Sequence, residues 1–307
     1  MKILIADKLS PKAIAALEKI GADITSNPEL KAEDLGGAIG NANVLIVRST
    51  KVYADTIEAG KSLELIIRAG AGVNNIDLEK ASSSGVYVSN CPGKNSDAVA
   101  ELALGHIIAC DRRIVDASLD LRSGNWKKKA YQNAAGLKGR TLGIIGLGSI
   151  GSALAKLAKG LDMHVIAWSR SLTPNKADKL DLVYCESIAE VAANADVVSV
   201  HLAVTPDTKQ LLNNDFFNKM KDGAIFVNTS RGEIVDTAAL RKAIDEKSLR
   251  VGLDVFENEP GSGLAEFDQT DLAGLITCTP HIAASTNQAS EAIADEVVRI
   301  VDSLIKT

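Results

Sequence analysis

Residues 141–160 read "TLGIIGLGSIGSALAKLAKG". An apolar run of strand length leads into three glycines and then into apolar residues at helical spacing. Gly146, Gly148 and Gly151 stand at G-x-G-x-x-G spacing, with Ser149 and Ile150 between the last two. A strand that enters a helix through such a loop uses each glycine differently. The first makes a tight turn, the second lets backbone approach a pyrophosphate, and the third lets the helix pack closely on the strand. The free N–H groups at the helix N-terminus then face the phosphates. The stretch predicts a dinucleotide-binding Rossmann unit.

After it come "HVIAW", "LVYC", "DVVSVHL", "GAIFVNTS", "RVGLDVF" and "LITCTPH", alternating with helix-period segments. Together with residues 141–145 they make seven strands of a doubly wound parallel sheet. Before it, "KILIA", "NVLIVRS", "LELIIRA" and "VYVSN" are four further strands in a β/α series of their own. In "SPKAIAALEKIG" Ser10 caps a helix, Pro11 occupies its first turn and Gly21 ends it. "SDAVAELALGHIIACDRRIVDASLDLRSG" reads as one long, largely buried helix closing at Gly124, with a hinge before it around 92–95. "STNQASEAIADEVVRIVDSLIK" reads as a final amphipathic helix.

A length of 307 residues suggests two domains. With 46% hydrophobic and 24% charged residues, the composition is that of a soluble globular protein. A net charge of -5 argues against a nucleic-acid partner. No apolar run approaches the roughly 20 residues that cross a bilayer, and the start lacks the layout of a signal peptide. The expected location is the cytoplasm. Cys91, Cys110, Cys185 and Cys278 are scattered, which predicts free thiols and neither a metal site nor a disulfide framework.

The strand "HVIAW" ends where a dinucleotide-binding unit usually places an acid for the ribose hydroxyls. Here Ser169 and Arg170 stand there. A carboxylate would repel a 2'-phosphate, whereas a hydroxyl beside a guanidinium offers it a donor and a cation. The pair therefore predicts NADP(H) over NAD(H), the alternative being an Arg170 that faces water in a site that accepts NAD(H).

Three more blocks follow strands: "VNTSRGEIVD", "GLDVFENEP" and "TPHIAAST". They place Arg231, Glu259 and His281 at carboxyl ends of strands, where open α/β sheets gather ligands. Hydride transfer to a 2-keto acid needs a cation for the carboxylate, a proton donor for the carbonyl and a group that tunes the donor. "GLGSIG", "HLAVTPDTKQLL", "NTSRGEIVD", "LDVFENEP" and "PHIAAST" resemble the signature blocks of the D-isomer-specific 2-hydroxyacid dehydrogenases. "VRSTKV", "RAGAGVNNID" and "NCPGKNSDAVAE" resemble the 3-phosphoglycerate dehydrogenase branch in particular.

That resemblance implies an α/β fold of two Rossmann-like or flavodoxin-like doubly wound domains with a cleft between them. Residues 1–94 plus 284–307 would form the substrate domain and 95–283 the dinucleotide-binding domain. It implies Arg231 on the substrate carboxylate and keto oxygen, His281 as general acid/base and Glu259 as its partner, with Glu257 the fallback. Thr229 and Asp254 would lie toward the nicotinamide, Ala283 would also bind the cofactor, and His201 to Pro206 would run along the adenosine, with Ala203 where the family usually has Pro.

Arg48, Ser49 and Lys51 would receive a substrate phosphate, and the small residues Ala71, Gly72 and Val73 a carboxylate. The implied reaction is reversible oxidation of a D-2-hydroxy acid, first of all 3-phosphoglycerate, as in serine biosynthesis. The alternatives are an NADPH-dependent glyoxylate or hydroxypyruvate reductase and, from another class, a dinucleotide-sensing corepressor-like binding protein. The resemblance also implies a homodimer built on the long helix, to which Trp126 and Lys127 to Lys129 would contribute. With the chain ending at Thr307, feedback through an appended regulatory domain is not expected.

Overall fold

Short apolar strands buried on both faces require helices on both sides of a sheet, and two such sheets organise the chain. The computed structural model describes residues 1–260 and 265–306. Two compact units emerge, one of Met1–Asn95 with Ser285–Thr307, the other of Ser96–Ala284.

The first unit holds β1 (Lys2–Ile5), β2 (Asp23–Ser26), β3 (Val44–Val47), β4 (Leu65–Arg68) and β5 (Tyr87–Asn90), all parallel, in the order β2-β1-β3-β4-β5. The chain reverses direction across this sheet between β1 and β3. The helix Pro11–Lys19 begins as expected, with the Ser10 hydroxyl accepting from the Ala13 N–H. The final helix, Asn287–Ile305, buries Ile293, Val297 and Val301 against Ile3, Ile5, Ile46 and Ile67. Removing one such side chain, as in Ile293→Ala, costs about 2–5 kcal/mol. β2 has no counterpart among the four strands expected for this half. It is a polar, mostly exposed edge strand without the apolar run that marks its neighbours.

The second unit holds β6 (Thr141–Ile145), β7 (His164–Trp168), β8 (Val183–Tyr184), β9 (Val197–Val200), β10 (Ile225–Asn228), β11 (Arg250–Leu253) and β12 (Thr277–Cys278). All are parallel, in the order β12-β11-β10-β9-β6-β7-β8, so the topological switch lies between β6 and β9. Two apolar layers sandwich the sheet, one around Phe217 and Phe226, the other around Ile107, Ile144 and Leu154.

The long helix expected between the two series is broken. Ser96–Arg112 and Ile114–Arg122 are separate helices, and Arg113 between them adopts φ 51°, ψ 47°. That left-handed residue ends an α-helical ladder. Its side chain is held by Asp116, by the Ala130 carbonyl and by the Tyr131 ring 4.9 Å away. The second helix buries none of its residues within the chain.

Candidate active site

The β6 strand delivers the glycine loop to the switch point. Gly146 donates its N–H to the Trp168 carbonyl of β7, while His201 after β9 donates to Ile145. Gly146 has φ +97°, and a Cβ there would run into the His201 carbonyl. A Cβ on Gly151 would strike the Gly146 carbonyl, whereas one on Gly148 would meet nothing within 4 Å. The turn and the helix–strand contact are thus closed to larger residues, and the face beside Gly148 is open. The helix Ser149–Gly160 starts with Gly148 as its N-cap, without a side-chain hydrogen bond. The first N–H groups, at Ser149, Ile150 and Gly151, therefore have no intrahelical acceptor.

Other polar groups nearby also lack partners. Thr229 Oγ1 and His201 Nδ1 are buried without a hydrogen bond, although His201 Nε2 lies 3.0 Å from Ser199 Oγ. Burial pushes the His201 imidazole down to about 4, so it is neutral at physiological pH. The loop beyond it is stapled by Thr208, whose hydroxyl donates to the Ala203 carbonyl at 2.7 Å and accepts from the Thr205 N–H at 2.7 Å. That bond fixes the loop at the position where a proline was expected. Pro206 lies within the same loop. Half-buried Ser169 and exposed Arg170 follow β7, and no carboxylate pairs with Arg170 among the described residues. A glycine cradle, a free helix start and unpartnered buried polar groups fit a dinucleotide.

Across the same edge of the sheet, β10 ends in Asn228, whose buried side chain folds the next loop. Its Oδ1 accepts from Ser230 N–H at 2.9 Å and Oγ–H at 2.7 Å, and its Nδ2 donates to the Arg231 carbonyl at 2.8 Å. This staple presents Arg231. Neither Asn228 nor Ser230 was singled out from the sequence, because an amide that holds its own loop leaves no spacing signal.

β11 continues into Asp254, whose carboxylate accepts from the Ile282 and Ala283 N–H groups, each at 2.9 Å. The Asp254 carbonyl accepts from the His281 N–H at 2.8 Å. His281 thus sits in a clamped turn, and its Nδ1 lies 2.6 Å from Glu259 Oε2. The second oxygen, Oε1, accepts from the Phe256 N–H at 2.9 Å. Glu257 points elsewhere and accepts from the Thr237 hydroxyl.

The electrostatics follow from this geometry. The hydrogen bond to Glu259 raises the His281 pKa against burial, and the carboxylate's charge adds to it, while the Arg231 charge opposes it. Burial pushes Glu259 upward, but the bonds from His281 and Phe256 and the charges of His281 and Arg231 bring it below the ordinary range. Arg231, Glu259 and His281 therefore form one interacting group at the carboxyl ends of β10, β11 and β12. An arrangement of this kind can bind a carboxylate and exchange a proton with a neighbouring oxygen.

In the first unit, Asp7 follows β1 and its Oδ2 accepts from three consecutive N–H groups after β3. These are Arg48 at 2.7 Å, Ser49 at 3.1 Å and Thr50 at 3.1 Å. One carboxylate oxygen thereby sets the loop that displays Arg48, Ser49 and Lys51. The Arg48 carbonyl accepts from Arg68 Nε at 3.0 Å and the Thr50 carbonyl from Asn75 Nδ2 at 2.8 Å. Arg48 and Lys51 side chains have no acidic partner among the described residues. After β4, the N–H groups of half-buried Ala71, Gly72 and Val73 donate to nothing among the described residues. Asp7 is another residue missed in the sequence, since a lone acid after a strand resembles any solvated one.

Comparison with known proteins bears on both units. Residues 104–283 match the family model for the NAD binding domain of D-isomer specific 2-hydroxyacid dehydrogenases. The hydroxypyruvate reductase of Thermotoga maritima is 39% identical over 97% of this chain and 96% of its own length. The D-3-phosphoglycerate dehydrogenase of Archaeoglobus fulgidus is 37% identical over 99% of this chain, which spans 58% of that relative. Among solved structures, NAD+-bound 3-phosphoglycerate dehydrogenase of Entamoeba histolytica superposes with a TM-score of 0.83 at 26% identity. That match covers 100% of this chain and 96% of the other. The glycine cradle, the paired histidine and glutamate and these matches agree, and the chain belongs to the D-isomer-specific 2-hydroxyacid dehydrogenases.

Proposed function

We propose that the protein catalyses reversible hydride transfer between a nicotinamide dinucleotide and a D-2-hydroxy acid. The observation that carries this reading is the 2.6 Å contact between His281 Nδ1 and Glu259 Oε2 under the charge of Arg231. In oxidation, neutral His281 takes the hydroxyl proton; in reduction, protonated His281 returns it to the carbonyl oxygen. Glu259 stabilises the imidazolium, and Arg231 holds the carboxylate and the keto oxygen. The bound dinucleotide supplies the hydride acceptor or donor. Gly146, Gly148, Ser149, Ile150 and Gly151 are assigned to its pyrophosphate, His201 and Pro206 to its adenosine side, and Thr229, Asp254 and Ala283 to its nicotinamide side. Ser169 and Arg170, with which no carboxylate pairs among the described residues, favour a 2'-phosphate, hence NADP(H).

For the substrate we assign a phosphate to Arg48, Ser49 and Lys51 and a carboxylate to the N–H groups of Ala71 to Val73, which favours 3-phosphoglycerate and 3-phosphohydroxypyruvate. One observation favours hydroxypyruvate instead: Asp7 already occupies the three N–H groups of the loop, leaving a phosphate only side chains. Rates with 3-phosphohydroxypyruvate, hydroxypyruvate and glyoxylate, each with NADH and NADPH, test the whole reading. A phosphate role requires that Lys51→Ala slow only the phosphorylated substrate; equal loss on both would remove it.

We also propose a homodimer through the helix Ile114–Arg122. Ile114, Val115, Leu119 and Leu121 are exposed on it, and Trp126 beyond it is 81% exposed. The adjacent Lys127 is fixed by Asp120 at 2.7 Å. Sedimentation of a monomer at micromolar concentration would contradict this. No helix among the described residues is long and apolar enough to cross a membrane.

A further inference from the structure

We infer, resting on the acid/base role proposed for His281, that His106 is its positioning residue. The buried His106 imidazole directs the Thr279 hydroxyl onto Asp254, and Asp254 holds the turn that carries His281.

His106 lies in the helix Ser96–Arg112, 3% exposed, beside buried Ala103, Ile107 and Cys110. A leucine would fill such a place without taking an imidazole out of water. The ring instead makes a specific contact, Nε2 lying 3.1 Å from Thr279 Oγ1. Thr279 Oγ1 in turn lies 2.6 Å from Asp254 Oδ1. A hydroxyl has one proton to give, and an ionised carboxylate can only accept. The Thr279 proton therefore points at Asp254 and its lone pair at His106, which makes Nε2 the protonated nitrogen. Burial lowers the His106 pKa against the pull of Asp254, in keeping with a neutral donor. The strand beneath is cut to fit: a Cβ on Gly252 of β11 would come within 2.8 Å of His106 Cβ.

The far end of this chain of bonds is the His281 turn. Asp254 collects the Thr279 hydroxyl and the Ile282 N–H on Oδ1 and the Ala283 N–H on Oδ2. Between these anchors His281 adopts φ +51°. A side-chain-bearing residue in that region is strained and persists only where its surroundings over-determine it. Without the His106 donor the Thr279 hydroxyl can rotate, Asp254 loses a directed bond, and the turn relaxes away from its strained setting.

The test uses the full chain with H106L, H106Q, T279V and T279S. Two readouts are taken: amide hydrogen exchange at Ile282 and Ala283 without ligand, and kcat and KM with the preferred keto acid. H106L and T279V should speed exchange at both amides by about tenfold or more. They should lower kcat by about 10- to 100-fold, with the KM for the keto acid, which Arg231 holds, nearly unchanged. H106Q and T279S keep a donor and a hydroxyl and should recover most of both losses, and the H106L/T279V double variant should match T279V alone.

Wild-type exchange and kcat in H106L would overturn the proposal, as would a glutamine that rescues no better than leucine. If H106L does not fold, the Thr279 pair decides, and indistinguishable T279V and T279S end the idea. A wild-type enzyme inactive on every keto acid would refute the function proposed above and leave the exchange rates to decide the role of His106.

Discussion

Glu259 Oε2 stands 2.6 Å from His281 Nδ1, and the two side chains shift each other's pKa in opposite directions. Glu259→Gln removes the charge that raises the histidine, while burial and Arg231 remain to lower it. The His281 pKa, followed by NMR, should therefore fall, and kcat for reduction near neutrality should drop by about 10-fold to 100-fold. The sign for stability follows from linkage. A raised histidine stabilises below its unfolded pKa and loses this as pH rises through the folded value. A lowered carboxylate stabilises above its unfolded pKa and loses this as pH falls through the folded value. The Tm advantage of wild type over E259Q should thus be greatest in mildly acidic solution and shrink toward alkaline pH.

Gly148 and Gly151 separate cofactor binding from folding. With open space at its Cβ position, Gly148→Ala should change stability by no more than about 0.5 kcal/mol. It should nevertheless weaken dinucleotide binding at least about tenfold, or 1.4 kcal/mol. Gly151→Ala forces a Cβ into the Gly146 carbonyl and should cost about 1–3 kcal/mol of stability as well. Unaltered dinucleotide affinity in G148A would remove the glycine loop from the cofactor site.

Arg170→Ala tests the 2'-phosphate. A lost charge-assisted hydrogen bond is worth about 1.5–3 kcal/mol, so kcat/KM with NADPH should fall by about 10- to 100-fold. Values with NADH should stay as they are. A preference for NADH in the wild type would contradict the assignment outright.

Asp7→Ala releases three N–H groups after β3 at once. The KM for the keto acid should rise by about tenfold, with the KM for the dinucleotide unchanged because the two loops belong to different units. Asp7→Asn, which keeps an accepting oxygen, should fall between the two. A rise in both KM values would mean that Asp7 stabilises the fold rather than the loop.

Much of this is legible in the sequence. Both parallel sheets follow from apolar runs of strand length, and the glycine spacing picks out the strand and helix that form the cradle. The blocks around Arg231, Glu259 and His281 name the interacting group because each follows a strand. What escaped reading has physical causes. β2 pairs through backbone at a sheet edge and needs no apolar pattern. The break at Arg113 is a single backbone setting inside an uninterrupted helical composition. Asp7, Asn228 and His106 act through bonds to backbone or to a distant hydroxyl, contacts that one sequence does not announce.

The proposed reaction turns on His281 exchanging the substrate proton under the control of Glu259. The most direct measurement is the pH dependence of the hydride-transfer step in both directions on one preparation, with chemistry made rate-limiting by a deuterated donor. Oxidation needs the neutral ring and should quicken as pH rises through the raised His281 pKa, while reduction needs the protonated ring and should slow over the same range. Rates that move together in the two directions would rule out His281 as the proton carrier.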